Sequence, residues 1–319
     1  MKVLLKRTLT LGPMWRLATA AIRPRGVTVL MYHRITDPVY GFSGTTPTDF
    51  ATQMTWLKSH CRPIAPEELD DAALGIAGPP PVLVTFDDGY RDYHDHAYPV
   101  LSRLGITGLV FLATRSIDDG VMIWTDAVAY ALHRSRGKTI RLPWQHEGVY
   151  MLSDDASRRV AATAAKRFLK DVTDVERQHW LKELYNLLGV DPDDGSAGRQ
   201  MLDWHEVRNT LEFTRYGGHT HNHPILSRLP DAIAEEEIRV CRDRIRDETG
   251  FTPRYFAYPN GRAQDFTDTT KALLRKYGFE RAFSTIGGLH RADDDVLAIR
   301  RQPTGGSFLG DFAMTVAGR

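Results

Sequence analysis

Short apolar runs that lack in–out alternation recur along this 319-residue chain, and segments of helical period separate them. Val27-Thr28-Val29-Leu30-Met31-Tyr32 is the first run; Pro81-Val82-Leu83-Val84-Thr85-Phe86 is the second and leads into Asp87-Asp88-Gly89-Tyr90. Thr107 to Leu112 makes a third. A strand that is apolar at successive positions must be covered on both faces, and a parallel sheet flanked by helices does this. Pro47 to His60 predicts one covering helix, with Phe50, Met54 and Leu57 on one stripe and Thr48 as N-cap. A second helix is expected from about Tyr93 to Leu104, stopping at Gly105.

From about Ser116 to Gly198 the rhythm changes. Helices are expected at about 156–172 and, after the capping box Thr173-Asp174-Val175-Glu176, to about Leu188. The α/β alternation resumes at Asp203, with strands predicted at Phe213 to Gly218, Tyr255 to Tyr258, Ala282 to Thr285 and Val296 to Arg300. Helices at Asp231 to Thr249 and about Thr267 to Tyr277 lie between them. The organisation this implies is a basic N-terminal segment at 1–25 and one α/β domain at 26–319, with a helical insertion or lid at about 116–200.

Composition narrows the function classes. A net charge of +1 speaks against a nucleic-acid binder that works by bulk electrostatics. Cys61 and Cys241 show no metal-binding spacing and suit a reducing cytoplasm. No run approaches the ~20 apolar residues of a membrane span. Residues 1–36 carry seven Lys and Arg and no acid, so peripheral contact with anionic lipid is an alternative to a solvated basic arm.

Two segments carry the chemistry. Adjacent Asp87 and Asp88 at the end of a buried strand repel each other unless a cation intervenes, although Asp-Gly also suits a surface turn. The second segment is Gly218-His219-Thr220-His221-Asn222-His223-Pro224, again after a predicted strand. His219 and His223 can share one divalent ion if the chain curls, and Pro224 requires a loop rather than a mid-helix to deliver them. Two histidines and a carboxylate make a Zn²⁺ set with a position left for water. They equally make the facial triad of a non-haem Fe(II) oxygenase.

Thr85-Phe86-Asp87-Asp88-Gly89 and His219-Thr220-x-x-His223 resemble the first two motifs of the polysaccharide deacetylase (NodB-homology, carbohydrate esterase family 4) family. Leu202-Asp203-Trp204 and Phe256-Ala257-Tyr258-Pro259-Asn260-Gly261 are similar to it too. The resemblance covers about Val27 to Arg301 and implies a deformed (β/α) barrel that removes N-acetyl groups from a glycan or a possibly lipid-linked precursor. It implies Asp87 as general base and Asp88, His219 and His223 as ligands of a divalent metal, Zn²⁺ first. Met31-Tyr32-His33-Arg34 resembles the circularly permuted branch, which implies His33 as the acid, whereas His290 sits in a polar loop and reads as solvated. The usual third-motif Arg is replaced by Ala257, so Arg300 or Arg301 is expected to orient the base. Tyr258, Asn260 and Tyr90 are further candidates for substrate or oxyanion contact, with a backbone N–H near Asn260 foremost. Deformylase and O-acetyl esterase activity fit the same site, and the missing Arg leaves a silent glycan-binding module as a third class.

Overall fold

The structure, a computed structural model, describes residues 26–39, 41–75, 78–145, 147–304 and 309–318. The basic segment at 1–25 therefore lies outside the described residues. Strand β1 (Thr28–Tyr32) is followed by helix α1 (Pro47–His60) and the short β2 (Arg62–Pro63). Helix α1 is capped by Thr46, not Thr48, whose hydroxyl accepts from Asp49 N. Pro47 explains the difference: its fixed φ suits the first helical position, so the helix runs over the predicted Pro47–His60 and the cap falls on the residue before the proline. Next come α2 (Leu69–Ala73), β3 (Pro81–Phe86) and α3 (Tyr98–Leu104). A π turn over Tyr93–Ala97 precedes α3, where one continuous helix was expected.

After β4 (Gly108–Leu112), the chain leaves the barrel through α4 (Thr114–Asp119) and α5 (Trp124–Arg134). A two-stranded ribbon, β5 (Thr139–Ile140) with β6 (Tyr150–Met151), leads to α6 (Asp155–Asp171) and α7 (Asp174–Leu188). Here Val128, Leu132, Ala161, Ala165, Leu169 and Leu184 are buried in a core of their own. Tyr90 and Met201 join that core to the barrel. The barrel then resumes with α8 (Trp204–Asn209), β7 (Thr214–Gly218), α9 (Asp231–Thr249), β8 (Tyr255–Ala257), α10 (Asp268–Lys276) and β9 (Arg281–Phe283). Strand β10 (Gln302–Pro303) and α11 (Leu309–Val316) complete it.

All pairings in the main sheet are parallel, in the order β10-β1-β3-β4-β7-β8-β9, with β2 also on β3. The strand expected at Val296 to Arg300 is a single bridge, Ile299 to Phe283 of β9. Three residues further on, β10 pairs with β1, so the segment 299–303 closes the curled sheet irregularly. The result is a deformed (β/α) barrel. Strand side chains alternate between two apolar cores: Val29, Leu83, Leu109, Phe111, Ala257 and Phe283 fill the interior, whereas Leu30, Tyr32, Val82, Val84 and Phe86 pack against helices. Gly217 is required where β7 passes its neighbours, since a Cβ there would lie 2.6 Å from the Tyr255 carbonyl oxygen. No helix of the described residues is long and apolar enough to cross a membrane, and Cys61 and Cys241 are buried and free.

Candidate metal centre

Strand parity aims the first group. Leu83 points into the barrel, so residues two and four further along, Thr85 and Asp87, point the same way. Asp88 then takes a left-handed backbone, φ 79°, followed by Gly89 at 81°, which ends the strand abruptly. From β7 the chain delivers His219, then Thr220 at φ 64° and His223 at φ 56°. Pro224 disfavours right-handed helical backbone at His223, which lies in a loop.

Asp88 Oδ1 stands 3.3 Å from His219 Nε2 and 3.2 Å from His223 Nε2. The two Nε2 atoms are 3.2 Å apart. Asp88 Oδ1 is buried and has no hydrogen bond of proper geometry, which a cation at the convergence point relieves. His219 Nδ1 bonds the Ala257 carbonyl oxygen at 2.7 Å, which makes it the donor and leaves Nε2 free to ligate. Burial raises the Asp88 pKa, but the close approach of His219 and His223 outweighs it and holds the carboxyl well below its ordinary range. These observations fit a divalent metal held by one carboxylate oxygen and two imidazoles.

Asp87 is buried beside this trio. Arg301 forks onto both of its oxygens, Nη1 to Oδ1 at 2.6 Å and Nη2 to Oδ2 at 2.8 Å. Burial pushes the Asp87 carboxyl up; the charge of Arg301, with His219 and His33 adding, holds it below the ordinary value. His33 Nε2 lies 3.8 Å from Asp87 Oδ2, and the ring is 47% exposed. A cavity of about 490 Å³ opens beside it, lined by Met31, Thr45, Asp49 and Thr304.

Other candidates divide. Of the two arginines, Arg301 reaches the base, while Arg300 bonds the Gly287 carbonyl at 3.2 Å. Tyr258 is turned away: Ala257 faces the barrel interior, so the next side chain faces outward. Its hydroxyl donates to the Leu297 carbonyl at 2.9 Å and its ring stacks on Phe266. Asn260 sits at φ 62° with its side-chain Nδ2 donating to Asp265 Oδ2 at 2.6 Å, so that nitrogen is already engaged. Tyr90 is buried under the Arg34 guanidinium, 3.9 Å from its ring centre. Burial, with Asp126 and Asp88 adding, raises its phenol well above the ordinary value. His290, read above as solvated, is 2% exposed. Its backbone pairs with Val27, ahead of β1, so the strand itself buries it at the end of the barrel opposite the site.

One positioning residue escaped the motif reading. Glu237 of α9 is buried, and its carboxylate accepts from His221 N at 2.9 Å, Asn222 N at 2.7 Å and Asn222 Nδ2 at 2.6 Å. Its only sequence signal was a charge on the inward side of a helix. His221 turns to Thr114 Oγ1, 2.9 Å away, and takes no part in the trio.

Comparison with known proteins agrees with this geometry. The model of the family described as polysaccharide deacetylase matches residues 75–185 and 195–282. YxkH of Bacillus subtilis (strain 168) is 34% identical over 99 residues, and the match spans 30% of this chain and 34% of YxkH. The structure of IcaB from Ammonifex degensii has a TM-score of 0.59 at 20% identity, covering 92% of this chain and 98% of that one. The Streptococcus pyogenes deacetylase PplD in complex with acetate gives 0.58 at 17% identity, covering 88% and 93%. At such identities the two structures attest the shared fold.

Proposed function

The chain belongs to the polysaccharide deacetylase family, and on that premise we propose that it is a metal-dependent hydrolase removing N-acetyl groups from a polysaccharide or glycan precursor. The observation that carries the reading is the convergence of Asp88, His219 and His223 next to an Asp87 locked by Arg301. Asp88, His219 and His223 hold the metal, and their N/O donor set suits Zn²⁺. Such an ion lowers the pKa of water toward ~7 and polarises the acyl carbonyl. Asp87 accepts the proton of the attacking water, and Arg301 keeps both its oxygens oriented. A backbone N–H near Asn260 meets the negative charge developing on the acyl oxygen.

His33 returns a proton to the departing amine, as the N-terminal motif of the permuted branch implies. Support comes from its 3.8 Å approach to Asp87, with His290 at the far end of the barrel. We place the enzyme in the cytoplasm, with the acid-free 1–25 segment touching anionic lipid where a lipid-linked substrate is presented. Equal flotation with neutral and anionic liposomes would sink that location.

Release of acetate from N-acetylated oligosaccharides by the zinc-loaded protein, followed by mass spectrometry, tests the activity itself. Formyl and O-acetyl analogues run alongside separate the neighbouring activities. Asp87→Asn is expected to keep the metal and lose turnover by on the order of 10²–10⁴. Asp88→Asn is expected to lose metal affinity as well; equal metal affinities in the two variants would reverse the assignment of base and ligand.

A further inference from the structure

Where the insertion meets the histidine loop there is a cavity of about 730 Å³ that the metal chemistry does not use. One stripe of α7 lines it: Gln178, Lys182, Tyr185 and Asn186 recur at helical spacing. Trp124, the first residue of α5, adds an aromatic wall. Arg115 of α4 and Asn222 complete the lining on the side of the metal, and their side chains are hydrogen-bonded to each other at 2.9 Å. Asn222 directly precedes His223, and the Arg115 N–H donates to the His221 carbonyl at 3.0 Å. The cavity therefore begins one residue from a metal ligand, on the loop that Glu237 holds in place.

The lining selects its ligand by chemistry. Its charges cancel, with Arg115 and Lys182 against Asp191 and Asp193. Arg115 is already paired with Asp119 at 3.2 Å, and Asp193 accepts from Met122 N at 3.4 Å. A wall without net charge gives an ion no advantage. Gln178 and Asn186 are exposed, and among the described residues their side-chain amides have no hydrogen-bond partner. An amide both donates and accepts, as a sugar hydroxyl does. Trp124 is 9% exposed, and the buried Arg177 guanidinium lies 5.2 Å from the centre of its ring. That contact fixes the indole as a rigid apolar surface. Trp124 Nε1 and Arg177 Nε and Nη1 are buried donors without an acceptor. This wall is short of acceptors, which a polyhydroxylated ligand carries in excess.

Rigid aromatic surface, free amides and balanced charge suit a neutral saccharide. We infer that this cavity is a second saccharide site, seating neutral sugar units that adjoin, in the same glycan, the N-acetyl sugar held at the metal. The insertion then selects for length: the substrate is an oligosaccharide or polymer that fills both sites, not a single sugar. The inference rests on the deacetylase reading of the metal centre and names its substrate class.

Chain length is the variable that tests it. N-acetylglucosamine and its trimers and pentamers, in a β-(1→4)-linked and a β-(1→6)-linked series, are titrated against the full zinc-loaded chain, with binding followed by ligand-observed NMR. In at least one series Kd is expected to fall about tenfold or more from monomer to pentamer, because the second site engages the same molecule. The gain is expected to shrink to about twofold or less in Gln178→Ala/Asn186→Ala and in Trp124→Ala. The first variant alters exposed side chains only, so it decides the matter even if Trp124→Ala does not fold. Absence of a length gain in both series overturns the inference, and so does a gain that survives Gln178→Ala/Asn186→Ala. Acetate release is read on the same oligomers. Release with equal kcat/KM at every length, and no gain in binding, leaves the deacetylase reading standing and this inference fallen. A length gain that the variants abolish, without release from any oligomer, keeps the saccharide site and removes the deacetylase reading.

Discussion

Arg301 makes Asp87 usable as a base. A buried carboxylate next to Asp88 carries two penalties, desolvation and a like charge, and the bidentate guanidinium offsets both. Ala257 stands where the family usually places this arginine, and its small side chain in the barrel interior leaves the approach from 299–303 open. Removing one partner of a buried pair strands the other charge, so Arg301→Gln should cost about 3–5 kcal/mol of stability. Arg301→Lys should not restore turnover, because a point charge cannot fork onto both oxygens. Thermal melts and kcat for the two variants check this, and a lysine variant with wild-type kcat would refute the positioning role. The two histidines once in competition now separate. His33→Ala should keep fold and metal and lose most of kcat. His290→Ala should lower the melting temperature by opening a buried space at the far end of the barrel, with kcat per folded molecule unchanged.

Elements were legible where periodicity alone decides them. Pro47–His60 and Pro81–Phe86 fall at the predicted bounds, because a proline opens each and an apolar pattern runs unbroken after it. The departures mark places where tertiary partners override local pattern. Left-handed Asp88, Thr220 and His223 have no local signal, and for the histidine loop the constraint comes from Glu237, fourteen residues beyond His223. Helices α4 and α5 were hidden in a stretch whose burial depends on the core built later by α6 and α7. The link between that insertion and β1 is Arg34, which reaches Asp126 of α5 at 2.7 Å and Asp92 at 3.4 Å. Asp92 also accepts from Ile35 N at 3.0 Å. Burial pushes Asp92 up to about 6; Arg34, the Ile35 N–H and His96 oppose the rise, while Asp126 adds to it. Between pH 4 and 6 the folded chain therefore binds more protons here than the unfolded one, and stability falls as pH rises through that window. Asparagine does not titrate. The stability of Asp92→Asn relative to wild type should climb over that window by up to about 3 kcal/mol and then stay level. Denaturant melts at several pH values check this, and a difference that stays flat or falls would place the proton elsewhere.

The barrel class follows from the spacing of apolar runs, but its closure does not. Segment 299–303 bridges β9 and β1 with an isolated bridge and a two-residue strand, too short and irregular to carry a periodic signature. The metal trio was legible because chemistry rather than packing selects it: motifs 131 residues apart, between Asp88 and His219, each end a strand of one parallel sheet. Such a site ties together two loops of the barrel mouth, so metal binding should be felt by the whole molecule. Without the ion, the buried Asp88 Oδ1 stays unsatisfied and the two imidazoles crowd it. An ion that binds only the folded chain stabilises it by RT ln(1 + [L]/Kd), about 2.7 kcal/mol at a hundredfold excess over Kd. For a domain of this size that is on the order of 5 °C in melting temperature. Melting the chelated protein against a zinc series should show a rise that keeps climbing with the logarithm of free zinc. His219→Ala/His223→Ala should melt at one temperature throughout the series. His221→Ala should respond as wild type does, because His221 faces Thr114 and not the trio. A zinc response that survives in the double variant would move the metal away from Asp88, and the assignment of Asp87 as the adjacent base would go with it.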